Sequence, residues 1–277
     1  MRLVINSHAL DYDISGSGAE TIVFIHALGV TREMWWPQVE HFQRDYRVVV
    51  YDAAGHDSPP PTGGQPSLAD YAHDLHGLML GLGIERPRLV GISMGGMLAQ
   101  VYAIHYPREL TSLVLACTTA GYADEARRQL EQRAAMAEGE GMSPLVDATV
   151  GRWFTPDFRE EHPEVINRIR AMLATADPRA YAMAARAVAA VDTRGDLPRI
   201  AVPALILRAE HDASMGPEAA AALRDGIPRA EIQVIDDAAH LCSVQRPDAF
   251  NRAVSDFLRK TAASSPLPGG GTGQGGG

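Results

Sequence analysis

Short apolar runs and longer stretches with helical spacing alternate along most of the chain. Continuous apolar runs are typical of strands covered on both faces, because neither face of such a strand meets water. These runs occur at residues 21–26, 47–51, 88–92, 113–116, 204–208 and 231–235. Helical spacing occurs at residues 68–82, 97–105, 217–225 and 247–259. The alternation predicts an α/β fold with a mostly parallel central sheet flanked by helices.

The pattern changes between residues 123 and 191. This segment is rich in Ala, Arg, Glu and Met at helical spacing and contains no run typical of a buried strand. Because strand signals resume after it, we expect an inserted helical cap at 123–191 that lies across the strand ends of a core formed by residues 1–122 and 192–262. The Gly-rich tail at 263–277 cannot bury apolar surface, so it is predicted to be disordered. It is either a linker remnant or an addition made in cloning.

Composition narrows the classes of partner. The 277 residues are 46% hydrophobic and 21% charged, which is ordinary for a globular chain that can bury a large core. The formal net charge of −9 and the lack of clustered Lys and Arg disfavour nucleic acid and anionic membranes as partners. No run of about 18 apolar residues and no signal-peptide pattern occur, so a cytoplasmic location is predicted. Neither cysteine has zinc-site spacing, and both are expected to be reduced.

Ser93 lies at the centre of the most informative segment, Gly91-Ile-Ser-Met-Gly95. The segment joins a predicted buried strand to a predicted helix. A turn this tight strains the backbone of the serine and brings the flanking chain too close for a Cβ atom, which explains the two glycines. The N-terminal N–H groups and positive dipole end of the following helix point toward negative charge that develops on a substrate. The pattern predicts a nucleophile elbow with Ser93 as the nucleophile.

A serine hydroxyl is a poor nucleophile near neutral pH, so it needs a histidine as base and a carboxylate to fix the tautomer of that histidine. In parallel sheets these groups follow the carboxyl ends of later strands, in the order serine, acid, histidine. Asp212 follows the strand at 204–208, and His240 follows the strand at 231–235. Ser93, Asp212 and His240 are therefore the predicted catalytic triad. Nearby residues interpreted as ordinary loop residues are Glu210, His211, Asp236 and Asp237.

The oxyanion hole needs two backbone N–H groups, one from the residue after the nucleophile and one from the loop after the third strand. Met94 and Leu28 occupy these positions. His26 is interpreted as a structural residue that holds the second loop, and not as a second base.

Several motifs, the elbow among them, together resemble those of a known family. They are Ala27-Leu28-Gly29, Met34-Trp35, Tyr51-Asp52 with Gly55-His56, Gly91-Ile-Ser-Met-Gly-Gly96, Gly151-Arg-Trp-Phe-Thr155, Ala239-His240-Leu241 and Gln245-Arg246-Pro247. Over residues 3–260 the chain resembles the α/β-hydrolases, and within them it resembles the 3-oxoadipate enol-lactonases. The match at residues 151–155 matters most, because caps vary between α/β-hydrolases while elbows recur.

The resemblance implies hydrolysis of a five-membered enol-lactone that carries a free acetate arm, in the catabolism of aromatic compounds through 3-oxoadipate. Ser93 would attack the ring carbonyl, and water activated by His240 would release the acyl-enzyme. The carboxylate of such a substrate needs a cation or a strong donor, for which Arg152 and Trp153 are the candidates. The alternative for these two is cap packing and an arginine whose stem lies along the surface. The mechanism requires water as its only co-reactant, and no metal or cofactor is predicted.

Two segments depart from the usual pattern of these lactonases. Where they have a small polar pair such as Asn-Ser before Leu-Gly, this chain has His26-Ala27, a form common in general esterases. Where they have Asp-Thr-Arg-Gly-His-Gly, it has Asp52-Ala-Ala-Gly-His-Asp57. Both changes fall near the predicted mouth of the site, so they bear on the choice of substrate.

Other functions share these residues. Dehalogenases and epoxide hydrolases use a carboxylate as the nucleophile at the elbow. Because this chain has Ser93 there, both classes are excluded. General carboxylesterases, acyl-homoserine lactonases, carbon–carbon bond hydrolases and perhydrolases all use Ser, Asp and His, so they stay open. A non-catalytic ligand-binding protein is disfavoured, because all three triad residues are present. The predicted partner is a small ester or lactone, and the oligomeric state is left open.

Overall fold

A computed structural model describes residues 1–56 and 64–263. Its strands are β1 (Arg2–Ile5), β2 (His8–Ser15), β3 (Thr21–Ile25), β4 (Arg47–Tyr51), β5 (Arg88–Ile92), β6 (Ser112–Ala116), β7 (Ala204–Ala209) and β8 (Ala230–Ile235). They form one eight-stranded sheet in the order β1-β2-β4-β3-β5-β6-β7-β8. Only the pairs that include β2 are antiparallel among these strands. The predicted mostly parallel sheet is confirmed.

Helices connect and flank the strands. They are α1 (Trp36–Phe42), α2 (Leu68–Gly81), α3 (Met94–His105), α4 (Asp124–Glu140), α5 (Ser143–Trp153), α6 (Pro156–Glu161), α7 (Pro163–Thr175), α8 (Pro178–Ala189), α9 (Pro217–Gly226), α10 (Cys242–Gln245) and α11 (Pro247–Ala263). Short 3-10 turns occupy Arg32–Trp35 and Leu197–Arg199. No helix in the described part of the chain is long and apolar enough to cross a membrane. Asp57 and the predicted tail after Ala263 lie outside the described residues.

Two apolar layers cover the sheet. Alternate strand residues face opposite sides, so Ile25 contributes to the layer that holds α2 and α3, while Phe24 contributes to the layer that holds α1 and α11. Strands β5 and β6 are buried along their whole length. This double coverage explains why these strands have continuous apolar runs instead of alternating ones.

Helices α4 to α8 lie between β6 and β7 in the chain. Helix α4 packs along α8, and α5 contacts both α4 and α7. The two ends of the segment meet, because Gly121 and Asp192 form an antiparallel bridge and the Thr193 N–H donates to the Ala120 carbonyl at 2.7 Å. The inserted helices therefore leave and rejoin the sheet at one place.

Candidate active site

Ser93 occupies the sharp turn between β5 and α3, with φ of +56° and ψ of −118°. An added Cβ at Gly91 would lie 2.2 Å from the carbonyl oxygen of Gly95. An added Cβ at Gly95 would lie 2.1 Å from the carbonyl oxygen of Ile25. Glycine is therefore sterically required on both sides of the serine. Helix α3 begins at Met94, three residues before the predicted start at Met97, because the glycines that make the turn hide the helical pattern.

The three residues of the predicted triad lie in one chain of hydrogen bonds. His240 Nε2 is 2.9 Å from Ser93 Oγ, and His240 Nδ1 is 2.8 Å from Asp212 Oδ2. An ionised carboxylate can only accept, so Nδ1 carries the ring proton and donates it to Asp212. Nε2 is then the acceptor for the hydroxyl of Ser93. This arrangement can remove a proton from the serine as the hydroxyl attacks a carbonyl.

Asp212 is held by more than the histidine. Its Oδ1 accepts from the backbone N–H groups of Ser214 and Met215, at 2.8 and 3.1 Å. Burial by itself would raise the pKa of Asp212, but the charge and hydrogen bond of His240 and the two backbone donors together hold that pKa below its ordinary value. The carboxylate is therefore ionised near neutral pH and fixed in orientation.

Leu28 and Met94 both line the cavity beside Ser93 and His240. Met94 is the first residue of α3, where a backbone N–H has no partner within the helix. Among the described residues, neither the Leu28 nor the Met94 N–H donates to a protein acceptor. Neither donor is used within the described residues, which is a condition that an oxyanion hole must meet.

Two buried histidines hold the turn that contains Leu28. His26 Nε2 accepts from the Ala53 N–H at 3.0 Å, and its Nδ1 lies 2.8 Å from the Ala27 carbonyl oxygen. His56 Nε2 accepts from the Gly29 N–H at 3.3 Å. Each acceptor nitrogen must be unprotonated, so both rings are neutral. Burial lowers the pKa of both, with His56 adding to the effect on His26.

Acid is expected to destabilise the fold through His56. Burial lowers its pKa from 6.5 to about 4, so the unfolded chain binds a proton that the folded chain refuses in this interval. The contribution of His56 to the free energy of unfolding should be fully retained above pH 6.5 and should fall by up to about 3 kcal/mol as the pH approaches 4. Urea unfolding across this pH range measures the loss.

The variant His56→Gln keeps an acceptor for the Gly29 N–H but does not titrate. Its free energy of unfolding should depend less on pH than that of the unaltered protein. The matched control is His41→Gln, which replaces a histidine that contacts Ser255 near the surface. Equal pH dependence in His56→Gln and the unaltered protein would contradict the assignment.

A cavity of about 480 Å³ lies over Ser93, between α4, α5 and α8 and the loops that carry the triad. Arg152 and Trp153, the predicted substrate contacts, both line it. The Trp153 ring stacks beside the His240 ring with centroids 6.2 Å apart, and its carbonyl accepts from the Leu241 N–H at 3.1 Å. Arg152 donates to the Thr149 hydroxyl at 3.2 Å.

Gln245 ties the inserted helices to the histidine loop, a contact that the sequence reasoning missed. Its side-chain oxygen accepts from the Ala239 N–H at 3.0 Å, and its amide donates to the Thr155 hydroxyl at 2.7 Å and to the Asp237 carbonyl at 3.0 Å. The motif Gln245-Arg246-Pro247 was the signal in the sequence that could have pointed to this residue. The sequence reasoning also missed Arg133, which lines the same cavity from α4.

Residues 20–247 match the family model for the alpha/beta hydrolase fold. The chain therefore belongs to the α/β-hydrolase family, and the fold class predicted from the sequence is confirmed.

Individual relatives of the chain within this family include enol-lactonases and an esterase. The chain is 30% identical over 253 residues to 3-oxoadipate enol-lactonase 2 of Acinetobacter baylyi, a match covering 91% of this chain and 94% of that protein. The crystal structure of the enol-lactonase from Burkholderia xenovorans LB400 superposes with a TM-score of 0.90 at 34% identity, over 94% of this chain and 100% of that one. A thermophilic esterase from Thermogutta terrifontis, described with malate bound, gives a TM-score of 0.88 at 30% identity, over 94% and 98%. The predicted resemblance to enol-lactonases is confirmed. These relatives also support hydrolase activity for this chain.

Proposed function

We propose that the protein is a serine hydrolase that opens a small lactone or ester bearing a carboxylate, through an acyl-enzyme on Ser93. The preferred substrate is an enol-lactone of the kind that the 3-oxoadipate enol-lactonases hydrolyse. The observation that carries the proposal is the hydrogen-bond chain from Ser93 Oγ through His240 to Asp212 at the floor of a cavity lined by Arg152.

Acylation begins with attack by Ser93 Oγ on the ring carbonyl carbon while His240 Nε2 accepts the hydroxyl proton. The Asp212 carboxylate stabilises the resulting imidazolium through the proton on Nδ1. The N–H groups of Leu28 and Met94 donate to the oxyanion. When the intermediate collapses, the ring C–O bond breaks and the leaving oxygen takes the proton from His240. Because the substrate is a ring, that oxygen stays attached to the acyl group.

Deacylation repeats the same steps with water. His240 removes a proton from a water molecule, and the hydroxide oxygen adds to the ester carbonyl of the acyl-enzyme. The bond to Ser93 Oγ then breaks, and the serine takes its proton back from His240. The product is an open-chain acid with a new carboxylate, and its enol can tautomerise to the ketone.

A charged substrate is favoured by the cavity and by two relatives. Arg152 offers a guanidinium beside Trp153, which stacks near His240. The Acinetobacter relative is a 3-oxoadipate enol-lactonase, and the lactone of a dicarboxylate such as 3-oxoadipate keeps one free carboxylate. Malate, described in the Thermogutta esterase, is a small dicarboxylate. Together these observations favour a small anionic substrate over a long neutral ester.

The variant Arg152→Ala tests the preference for an anionic substrate over a neutral ester. It should raise KM for 3-oxoadipate enol-lactone by about tenfold to a hundredfold, because a charge-assisted hydrogen bond is lost. The effect on p-nitrophenyl acetate should be far smaller. The control is Arg170→Ala on α7, which removes an exposed arginine paired with Asp147. An equal rise in KM on both substrates would show that Arg152 does not bind the substrate carboxylate.

A general carboxylesterase is the second candidate, favoured by the His26-Ala27 segment and by the similarity to the Thermogutta esterase. A substrate panel separates the candidates, with 3-oxoadipate enol-lactone, acyl-homoserine lactones, simple esters and a vinylogous diketone assayed side by side. We expect the highest kcat/KM on the enol-lactone. Higher values on simple neutral esters would favour the esterase instead.

A further inference from the structure

The cavity over Ser93 is lined by two cationic side chains, in a chain whose formal net charge is −9. Arg133 on α4 and Arg152 on α5 both line it, and no Asp or Glu is among the described residues of its wall. Other arginines of the inserted helices do pair with carboxylates: Arg128 with Glu125, Arg170 with Asp147 and Arg186 with Glu138. Within residues 1–56 and 64–263, neither Arg133 nor Arg152 forms such a pair.

Each of the two guanidiniums is positioned by one weak contact within its own helix. Arg133 Nε donates to the Gln129 carbonyl at 3.3 Å, and Arg152 Nη2 donates to the Thr149 hydroxyl at 3.2 Å. A guanidinium has five N–H donors, so most of the donors on each residue are available to a ligand. Both residues are half-buried, which strengthens any interaction with an anion in the cavity.

The two cations lie close enough to affect the same groups. Burial lowers the pKa of Arg152, and the charge of Arg133 lowers it further. Burial raises the pKa of Tyr181, and the charges of Arg133 and Arg152 both oppose that rise. Two like charges in one cavity repel each other, and an anion between them would relieve the repulsion.

Tyr181 connects this cationic wall to the reacting centre. Its ring packs over Gly29, where an added Cβ would lie 3.0 Å from the ring carbons. Gly29 follows Leu28, whose N–H is the proposed oxyanion donor. Ser93, Tyr181 and both arginines line the same cavity, so one substrate can place its carbonyl at Ser93 and its anionic group at the arginines.

We propose that Arg133 is a specificity-determining residue that binds the substrate carboxylate together with Arg152. One carboxylate oxygen accepts from each guanidinium, and the hydrogen bonds are charge-assisted. The inference rests on the proposed function, because it places the substrate in the same cavity. The substrate class it names is a lactone or ester with a carboxylate on its acyl chain.

The test compares two substrates of equal size, a five-membered lactone with an acetate arm and the corresponding primary amide. In Arg133→Gln, the ratio of kcat/KM for the acid to kcat/KM for the amide should fall by about tenfold to a hundredfold. Arg133→Lys should restore part of the ratio, because it keeps the charge but loses the planar fork. Arg128→Gln, on the same helix, should leave the ratio unchanged. Arg133→Gln should also keep its Tm, because no ion pair is lost.

The outcomes separate this inference from the proposed function. If Arg133→Gln leaves the acid-to-amide ratio unchanged while both substrates still require Ser93, the role of Arg133 is wrong and the proposed function stands. If hydrolysis of both substrates continues in Ser93→Ala, the proposed function itself is wrong. A ratio that falls together with a lowered Tm in Arg133→Gln, without recovery in Arg133→Lys, would assign Arg133 to packing and overturn the proposal.

Discussion

Replacing Ser93 with alanine is expected to lower kcat for p-nitrophenyl acetate by at least about 10⁴-fold. The substitution removes the oxygen that lies 2.9 Å from His240 Nε2 and leaves the oxyanion donors in place. Alanine has the same Cβ as serine, so the strained turn at φ +56° is not made worse. Release of p-nitrophenolate measures the loss, and circular dichroism checks that the variant is folded.

The matched control is Ser243→Ala. Ser243 is also buried and follows His240 closely, but its hydroxyl has no hydrogen-bond partner in the described residues. Its removal should leave kcat near the value of the unaltered protein. Retained activity in Ser93→Ala would show that another group performs the attack.

The variant Asp212→Asn is expected to lower kcat by about 10⁴-fold while the fold is retained. Oδ1 of Asp212 accepts from the backbone N–H groups of Ser214 and Met215, so the amide oxygen of an asparagine must take that position. The NH₂ group then faces His240 Nδ1 and donates to it. Nδ1 must become the acceptor, the ring proton moves to Nε2, and Nε2 can no longer accept the proton of Ser93.

Asp237→Asn is the control for this substitution, because Asp237 is an exposed carboxylate in the loop that precedes His240. It should retain nearly full activity in the same ester assay. If Asp237→Asn lost as much activity as Asp212→Asn, the assignment of the acid to Asp212 would be wrong.

The sheet and the meeting of Ser93, Asp212 and His240 were predictable because their signals are local. Buried parallel strands must be apolar on both faces, and a serine on a sharp strand-to-helix turn needs small neighbours, as the close approach of Gly95 to the Ile25 carbonyl explains. Asp212 and His240 each follow a strand directly, so the parallel order of the sheet brings them to the same edge.

Other features depend on contacts between distant segments. Arg133 becomes notable only because α4 packs beside α5 and α8, which brings it into one cavity with Arg152. Gln245 acts by joining Thr155 to the loop before His240, and His56 acts by accepting from the Gly29 N–H. Gln245 and His56 belong to motifs that are visible in the sequence, but the roles of all three residues depend on partners far away in the sequence, which no local pattern identifies.

Ser93 should carry the acyl group during turnover. Rapid acid quench during hydrolysis of 3-oxoadipate enol-lactone, followed by mass spectrometry, can detect this species. We expect a covalent adduct with the mass of one substrate molecule on the peptide that contains Ser93. More of this adduct should accumulate in a variant with slowed deacylation than in the unaltered protein. Turnover without any adduct, or an adduct on a different residue, would show that Ser93 is not the nucleophile.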